Sequence, residues 1–194
     1  MAGSHMRYRH LSRKSSHRQA LLRNLVTSLF EHESISTTWH KAKEAQRLAE
    51  KLVTLGKKNT EASRRKALGI FYKPHDLVPK LFGPLRERYA DRPGGYTRVL
   101  RVESLKPDQA PSAILELVDG PKDMRFAMTA RTIAKDRAEG QESTEMTDRN
   151  VEKVTRYRPD GEKDLESMVA KLSNLKVGDR SNASTDERRW GGDV

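Results

Sequence analysis

The chain is 194 residues long, carries a net charge of +11, and is 35% apolar and 34% charged. That length holds one domain with an appendage or two small ones, and so low an apolar share leaves room for one modest core. No stretch approaches the roughly eighteen apolar residues of a membrane-spanning helix, which excludes insertion by such a helix, and the absence of cysteine excludes a disulfide framework and cysteine-ligated zinc.

The charge is unevenly spread. Residues 1–120 hold 23 Lys or Arg against 12 Asp or Glu, whereas residues 121–194 hold 15 of each sign. The first thirty residues contain six Lys or Arg and no acid at all. A solubility surface does not need an acid-free arm; a polyanion ligand does, because each cation that meets a phosphate releases condensed counterions. Gly3-Ser4-His5-Met6 looks like a tag-cleavage scar, while Met1-Ala2 before it fits a natural N-terminus equally well. The Arg-rich, Ser-rich, acid-poor start also matches a mitochondrial transit peptide.

In chain order, Ser16 and Gln19 have the spacing of a capping box and predict a helix from about His17. Leu21, Leu22, Leu25, Val26, Leu29 and Phe30 give it an apolar stripe. Ser34–Thr37 is β-prone and predicts a small strand. Thr38 stands as N-cap of a second helix with Ala42, Ala45, Leu48, Ala49, Leu52 and Leu55 inward and Gly56 as its left-handed C-cap. A third helix runs from Glu61 to Tyr72 behind Thr60, and Pro74 ends it. A fourth covers Asp76 to Phe82. After the Pro93-Gly94-Gly95 turn the period changes to two. Tyr96–Val102 and Ala113–Val118 then read as strands that pair antiparallel.

Asp119-Gly120-Pro121 is a break. Residues 122–138, 148–158 and 162–175 read as further helices. The first has Met124, Ala127, Met128, Ala130, Ile133 and Ala134 as core candidates; the last has Leu165, Met168, Val169, Leu172 and Leu175 along one side. The composition of Ser181–Val194 is that of a flexible segment with Trp190 as its only bulky anchor. The division that follows is a basic arm over residues 1–17, a core domain over 18–120, a helical extension over 121–180 and a flexible tail over 181–194. A helical block before the main strands predicts an α+β class: a compact helical domain with a small mixed or antiparallel sheet, a basic arm, and a mainly helical C-terminal extension.

Four constellations suit a nucleic acid. The arm offers Arg7, Arg9, Arg13, Lys14 and Arg18 for phosphates. Tyr8, His10 and His17 suit stacking or donation, and Ser15 and Ser16 add hydroxyls at a helix N-terminus. An arm this polar is expected to order on its target. Arg23, and Arg47 further on, stud the polar sides of the first two helices. Thr37 and Thr38 followed by Lys41 and Lys43 place hydroxyls and cations at the start of the second helix, where an ordinary cap with solvated lysines is the bland alternative. Arg92-Pro93-Gly94-Gly95-Tyr96-Thr97-Arg98 combines a turn that lets backbone approach a surface with cations and a ring; a strand-initiating turn explains the same residues. Gly94-Gly95 is not a phosphate loop, since no Gly-Lys-Ser/Thr follows. Arg64-Arg65-Lys66 is a basic run that an exposed helix face also explains. Catalysis has little support. His5, His10, His17, His32, His40 and His75 show no metal-ligand spacing, and no nucleophile elbow is present, so neither an enzyme nor a cofactor is expected.

In this order, the segments resemble the bacterial-type large-subunit ribosomal protein L-seventeen family over about 60% of the chain, from Arg7 to Asp119. The resemblance rests on Ser15-Ser16-His17-Arg18-Gln19-Ala20 with Arg23-Asn24, on Ile35-Ser36-Thr37-Thr38, and on Lys41-Ala42-Lys43-Glu44. It continues in Lys80-Leu81-Phe82, Arg92 to Arg98 and Glu116-Leu117-Val118-Asp119. It implies a structural component of the large subunit, bound to large-subunit rRNA on the side where the nascent peptide emerges, beside other ribosomal proteins and without a cofactor. Carried to this sequence, it makes the arm from Arg7 to Arg18, Arg23-Asn24, Thr37, Thr38, Lys41, Lys43 and the turn from Arg92 to Arg98 rRNA-contact candidates.

Two departures stand out. Trp39-His40 occupies a place where the family usually has an apolar residue and a proline. The chain also continues for about 75 residues past the usual end, with a charge-balanced extension like those of mitochondrial ribosomal proteins, and its early part is most similar to fungal mitochondrial members. The implied location is the mitochondrial matrix, in the large mitoribosomal subunit, with a bacterial cytoplasm as the alternative. The extension's apolar stripes imply packing on a neighbouring protein or on residues 1–120, and no homo-oligomer is expected. The rival reading is a free organellar nucleic-acid-binding or RNA-processing factor.

Overall fold

The computed structural model describes residues 8–104 and 107–186, with side chains through Asn174. Arg7, the segment Gly3–Met6, and Trp190 with the rest of 187–194 lie outside the described residues. The chain divides into two compact units, residues 1–123 and 124–194.

The first unit is an α+β domain. Helix α1 spans Ser15–His32 and buries Leu22, Val26, Leu29 and Phe30, the i, i+4, i+7, i+8 stripe of one helical face. The expected capping box does not form: Ser16 lies inside the helix, Lys14 holds the N-cap position, and no side chain caps it. The cause is upstream, where Leu11 and Ser12 adopt left-handed backbone (φ 58° and 54°) and turn the chain two residues early.

The helix stops at Glu33, itself left-handed at φ 64°. That conformation costs a non-glycine residue about 1–2 kcal/mol, and four interactions offset it. The Glu33 N–H donates to the Leu29 carbonyl at 2.7 Å, and its own carbonyl accepts from Leu117 N at 2.9 Å. Its carboxylate takes Arg88 at 2.8 Å and Lys80 at 3.1 Å. The exit of α1 is thereby fixed at the point where strand β1 (Ser34–Thr38) begins.

Helix α2 spans Trp39–Lys58 and buries Ala42, Ala45, Ala49, Leu52, Val53 and Gly56. Gly56 is not the expected C-cap. The helix runs on to an αL cap at Asn59 (φ 48°), and Gly56 is a contact point: a Cβ there would meet Leu81 Cδ1 at 3.0 Å and the Leu81 carbonyl at 3.1 Å. Helix α3 (Glu61–Leu68) is capped as expected, Thr60 Oγ1 accepting from Ser63 N at 3.2 Å, but ends earlier, at Gly69. Helix α4 (Pro74–Phe82) starts on Pro74, whose missing N–H costs nothing in a first turn. A short α5 (Pro84–Arg88) follows.

Strands β2 (Thr97–Val102) and β3 (Ser112–Leu117) pair antiparallel, and β1 pairs antiparallel with the other edge of β3, giving the order β1-β3-β2. Ala113, Leu115 and Leu117 alternate into one core with the inward faces of α1, α2 and α4. Tyr89 is fully buried in it and donates its hydroxyl to the Val118 carbonyl at 2.6 Å; burial pushes its phenol pKa well up.

The second unit is helical. Helices α6 (Met124–Glu139), α7 (Glu145–Thr155) and α8 (Gly161–Asp186) enclose a small core of Phe126, Ala130, Ala134, Val154, Leu165 and Val169. Its apolar stripes therefore pack on one another rather than standing open for a neighbour. Met124 and Met128, expected inside, are 37% and 60% exposed, because the inward positions follow Phe126, Ala130 and Ala134 at four-residue steps. Gly161 is required where α8 leaves α7: a Cβ would stand 2.8 Å from Thr155 Cα.

Candidate nucleic-acid interface

From Tyr8 onward the arm folds back on the domain. Leu11 and Ser12 turn it back, and Arg9 and Arg18 converge on the Glu44 carboxylate of α2 at 3.4 and 2.6 Å. Arg18 also donates to the Arg9 carbonyl at 2.6 Å, and Arg13 to the Leu11 carbonyl at 2.7 Å. Glu44 is 3% exposed, so the low local dielectric strengthens this clasp. Rings complete it. The Arg18 guanidinium lies 5.0 Å from the Tyr8 ring, and Tyr8 packs 5.3 Å from His10. Trp39 receives two cations, Arg9 at 5.1 Å and Arg101 at 4.6 Å, the range of a cation–π contact.

Behind the clasp opens a groove of about 530 Å³ between α1 and α2. Its basic walls are Arg18 and Arg23 from α1 with Arg47 and Lys51, one helical turn apart, from α2; Leu22, Leu48 and Ile70 line it below. Arg23 is aimed by its Nε donating to the Ile70 carbonyl at 2.9 Å and by the Tyr72 ring 4.4 Å from its guanidinium. Ser15, Ser16 and His17 stand exposed in the uncapped first turn of α1, whose free N–H groups suit an anion. Asn24 is exposed two turns on.

The other candidates fall into two groups. Lys14, Lys41 and Lys66 point to solvent or sit half-exposed and form no ion pair among the described residues. Lys43 reaches Gln46 at 3.4 Å, and Arg64 reaches Asn59 at 3.1 Å with the Phe82 ring beneath it. Arg65 pairs with Glu61 one turn away at 3.1 Å, both highly exposed. Thr37 and Thr38 are held in β1 opposite Ala113 and Ser112, and Thr38 makes no cap bond.

The turn from Arg92 to Arg98 is different. Arg92 binds Asp119 through Nη2 at 2.8 Å and Nε at 3.1 Å. Thr97 gives both N–H (2.9 Å) and hydroxyl (2.6 Å) to Glu50, and Tyr96 is buried. Arg98 sits directly opposite Glu116 across the β2–β3 pair and bonds it at 2.8 Å and Asp123 at 2.6 Å. Burial would lower the Arg98 pKa, but these two carboxylates hold it above its usual value. These groups turn inward, and the exposed positions of the turn are Pro93, Gly94 and Gly95, the last at φ 69°.

Glu44, Trp39, Lys51 and Arg101 were not among the sequence-derived candidates. Lys51 was legible, four residues after Arg47 on one face of a helix. The others depend on the folded-back arm and on strand position.

Among the described residues no group of acidic or histidine side chains is placed to hold a metal, and no helix is long and apolar enough to cross a membrane. The family model for ribosomal protein L17 matches residues 21–118. A large ribosomal subunit protein bL17m of Neurospora crassa is 67% identical over 91% of this chain and 92% of its own length. That of Schizosaccharomyces pombe is 48% identical over 84% and 80%. A bacterial relative, large ribosomal subunit protein bL17 of Myxococcus xanthus, is 50% identical over 59% of this chain and 81% of its own. The family model spans about half of the chain, and the long fungal alignment takes in most of the second unit as well: the chain belongs to the ribosomal protein L17 family.

Proposed function

We propose that this protein is a structural constituent of the large subunit of a fungal mitochondrial ribosome. There it holds large-subunit rRNA near the nascent-peptide exit side, and its work is scaffolding rather than catalysis. Family membership and the two fungal relatives support the ribosomal assignment. The observation that supports RNA contact is the α1–α2 groove, where cations from two helices line one opening and two of them are held in place, Arg18 by Glu44 and Arg23 by the Ile70 carbonyl.

Fixed cations lose little side-chain freedom on binding, so more of the counterion-release energy appears as affinity. Arg18, Arg23, Arg47 and Lys51 take the backbone of an RNA strand, Tyr8 and His10 stack at its edge, and the N–H groups around Ser15–His17 receive a phosphate. Lys14, Lys41, Lys43, Arg64, Arg65 and Lys66 extend the basic surface. Arg92, Thr97 and Arg98 act indirectly, by holding the Gly94–Gly95 turn in shape. Residues 1–17 and 18–120 thus serve as one RNA-binding body, with residues 121–180 directed to a protein neighbour.

Sedimentation of mitochondrial large subunits after a high-salt wash tests the reading. A free nucleic-acid-binding factor loses about a thousandfold or more in affinity between ~50 and ~200 mM salt and is stripped off. An integrated ribosomal protein stays in the particle.

A further inference from the structure

The second unit carries a groove of its own. It has a volume of about 460 Å³ and lies among α6, α7 and α8. Its floor is apolar, formed by Ile133, Val151 and Leu165. Asp136, Asp148, Glu162 and Glu166 line it against a single cation, Arg137. Residues 124–174 hold ten Lys or Arg and ten Asp or Glu, so this is a local separation of charge inside a neutral unit. Elsewhere on these helices carboxylates pair with cations: Glu139 with Lys135, Glu145 with Arg149, Asp160 with Lys163. None of the four groove carboxylates forms an ion pair among the described residues; Asp148 only accepts from Ser143 at 2.7 Å.

We infer that this groove is a docking site for a cationic segment of a neighbouring ribosomal protein, which seats an apolar side chain on the Ile133–Val151–Leu165 floor and Lys or Arg on the carboxylate rim. The inference rests on the ribosomal reading above. Complementarity of charge selects the occupant. Phosphate is repelled by four carboxylates around one opening, so RNA is disfavoured on this face. The carboxylates are spread around the rim rather than gathered on a point, which suits several extended cations better than one metal ion. The floor supplies the desolvated contact that rim charges alone do not.

The test uses the full chain carrying a photo-crosslinking benzophenone at Gln141, on the groove wall, incorporated into large subunits in vivo and irradiated after purification. The expected product joins Gln141 to a Lys- or Arg-rich stretch of another protein. The triple variant D136N/E162Q/E166Q, which keeps side-chain shape, is expected to reduce that product at least fivefold while the chain remains in the particle. Cross-linking to rRNA, to a second copy of this chain or to nothing overturns the inference, as does a yield unchanged in the triple variant. Absence of the chain from the particle refutes the ribosomal reading itself, so the two failures are distinguishable.

Discussion

Arg18 and Glu44 meet at 2.6 Å across 26 positions of sequence, with Glu44 only 3% exposed. The pair joins the first turn of α1 to α2 at the mouth of the basic groove, and Arg9 enters the same carboxylate. Replacing Glu44 with Ala leaves Arg18 partly buried without its anion. Loss of one member of a buried pair costs ~3–5 kcal/mol; with Arg18 still 16% exposed to water, the expected loss is about 2–3 kcal/mol by urea denaturation. RNA affinity falls as well, although a negative charge has been removed from a phosphate-binding surface. Tighter RNA binding by E44A would show that the carboxylate is only a repulsive neighbour.

Arg98 tests the opposite assignment, a cation consumed inside the protein. Arg98→Leu removes the guanidinium that bonds both Glu116, fully buried, and Asp123, 1% exposed. The expected destabilisation is ~3–5 kcal/mol in denaturant titrations. Under conditions where the variant is folded, the salt dependence of RNA binding is unchanged. A salt slope reduced by one phosphate contact, with stability intact, would place Arg98 on the RNA instead.

The unpaired lysines should behave in the reverse manner. The triple variant K14A/K41A/K66A keeps stability within about 0.5 kcal/mol, as surface substitutions do. The slope of log K against log salt becomes shallower by about two units, from ~0.7–0.9 per lost phosphate contact. Fluorescence anisotropy with an rRNA fragment at several salt concentrations gives the number.

Glu33 ties stability to pH. Burial raises its pKa, but hydrogen bonds and charge from Arg88 and Lys80 outweigh this and hold it below the ordinary 4.5. A depressed carboxyl contributes its full stabilisation above the unfolded-state value and loses it as pH falls through the folded-state value. Thermal unfolding between pH 7 and pH 3 is expected to show this loss beginning near pH 4.5, and the loss is expected to be smaller in Glu33→Gln.

Much of this architecture was legible in the residues. The spacing of Leu22, Val26, Leu29 and Phe30 marked the inner face of α1, Thr60 marked a real cap, and the Pro93-Gly94-Gly95 turn marked the change to strands that pair antiparallel. Local signals failed where tertiary contact decided. Gly56 has the look of a C-cap, but α4 presses on it. Ser16 and Gln19 have capping-box spacing, but the turn at Leu11–Ser12 starts the helix sooner.

The site was harder to read than the fold. Basic residues are visible in a sequence; their partners are not. Arg92 finds Asp119 27 positions away, and Arg98 finds Asp123 25 positions away, so these cations resembled those that remain outward. The arm from Tyr8 onward is held by Glu44 and Trp39, residues of another helix that its own sequence does not reveal. The extension's stripes gave no sign that they would close on each other.

The account is tested most directly by a density map of purified large mitochondrial subunits with this chain traced. It predicts ribose-phosphate backbone in the α1–α2 groove, within hydrogen-bonding reach of Arg18, Arg23, Arg47 and Lys51. A groove open to solvent, or filled by protein, would contradict it.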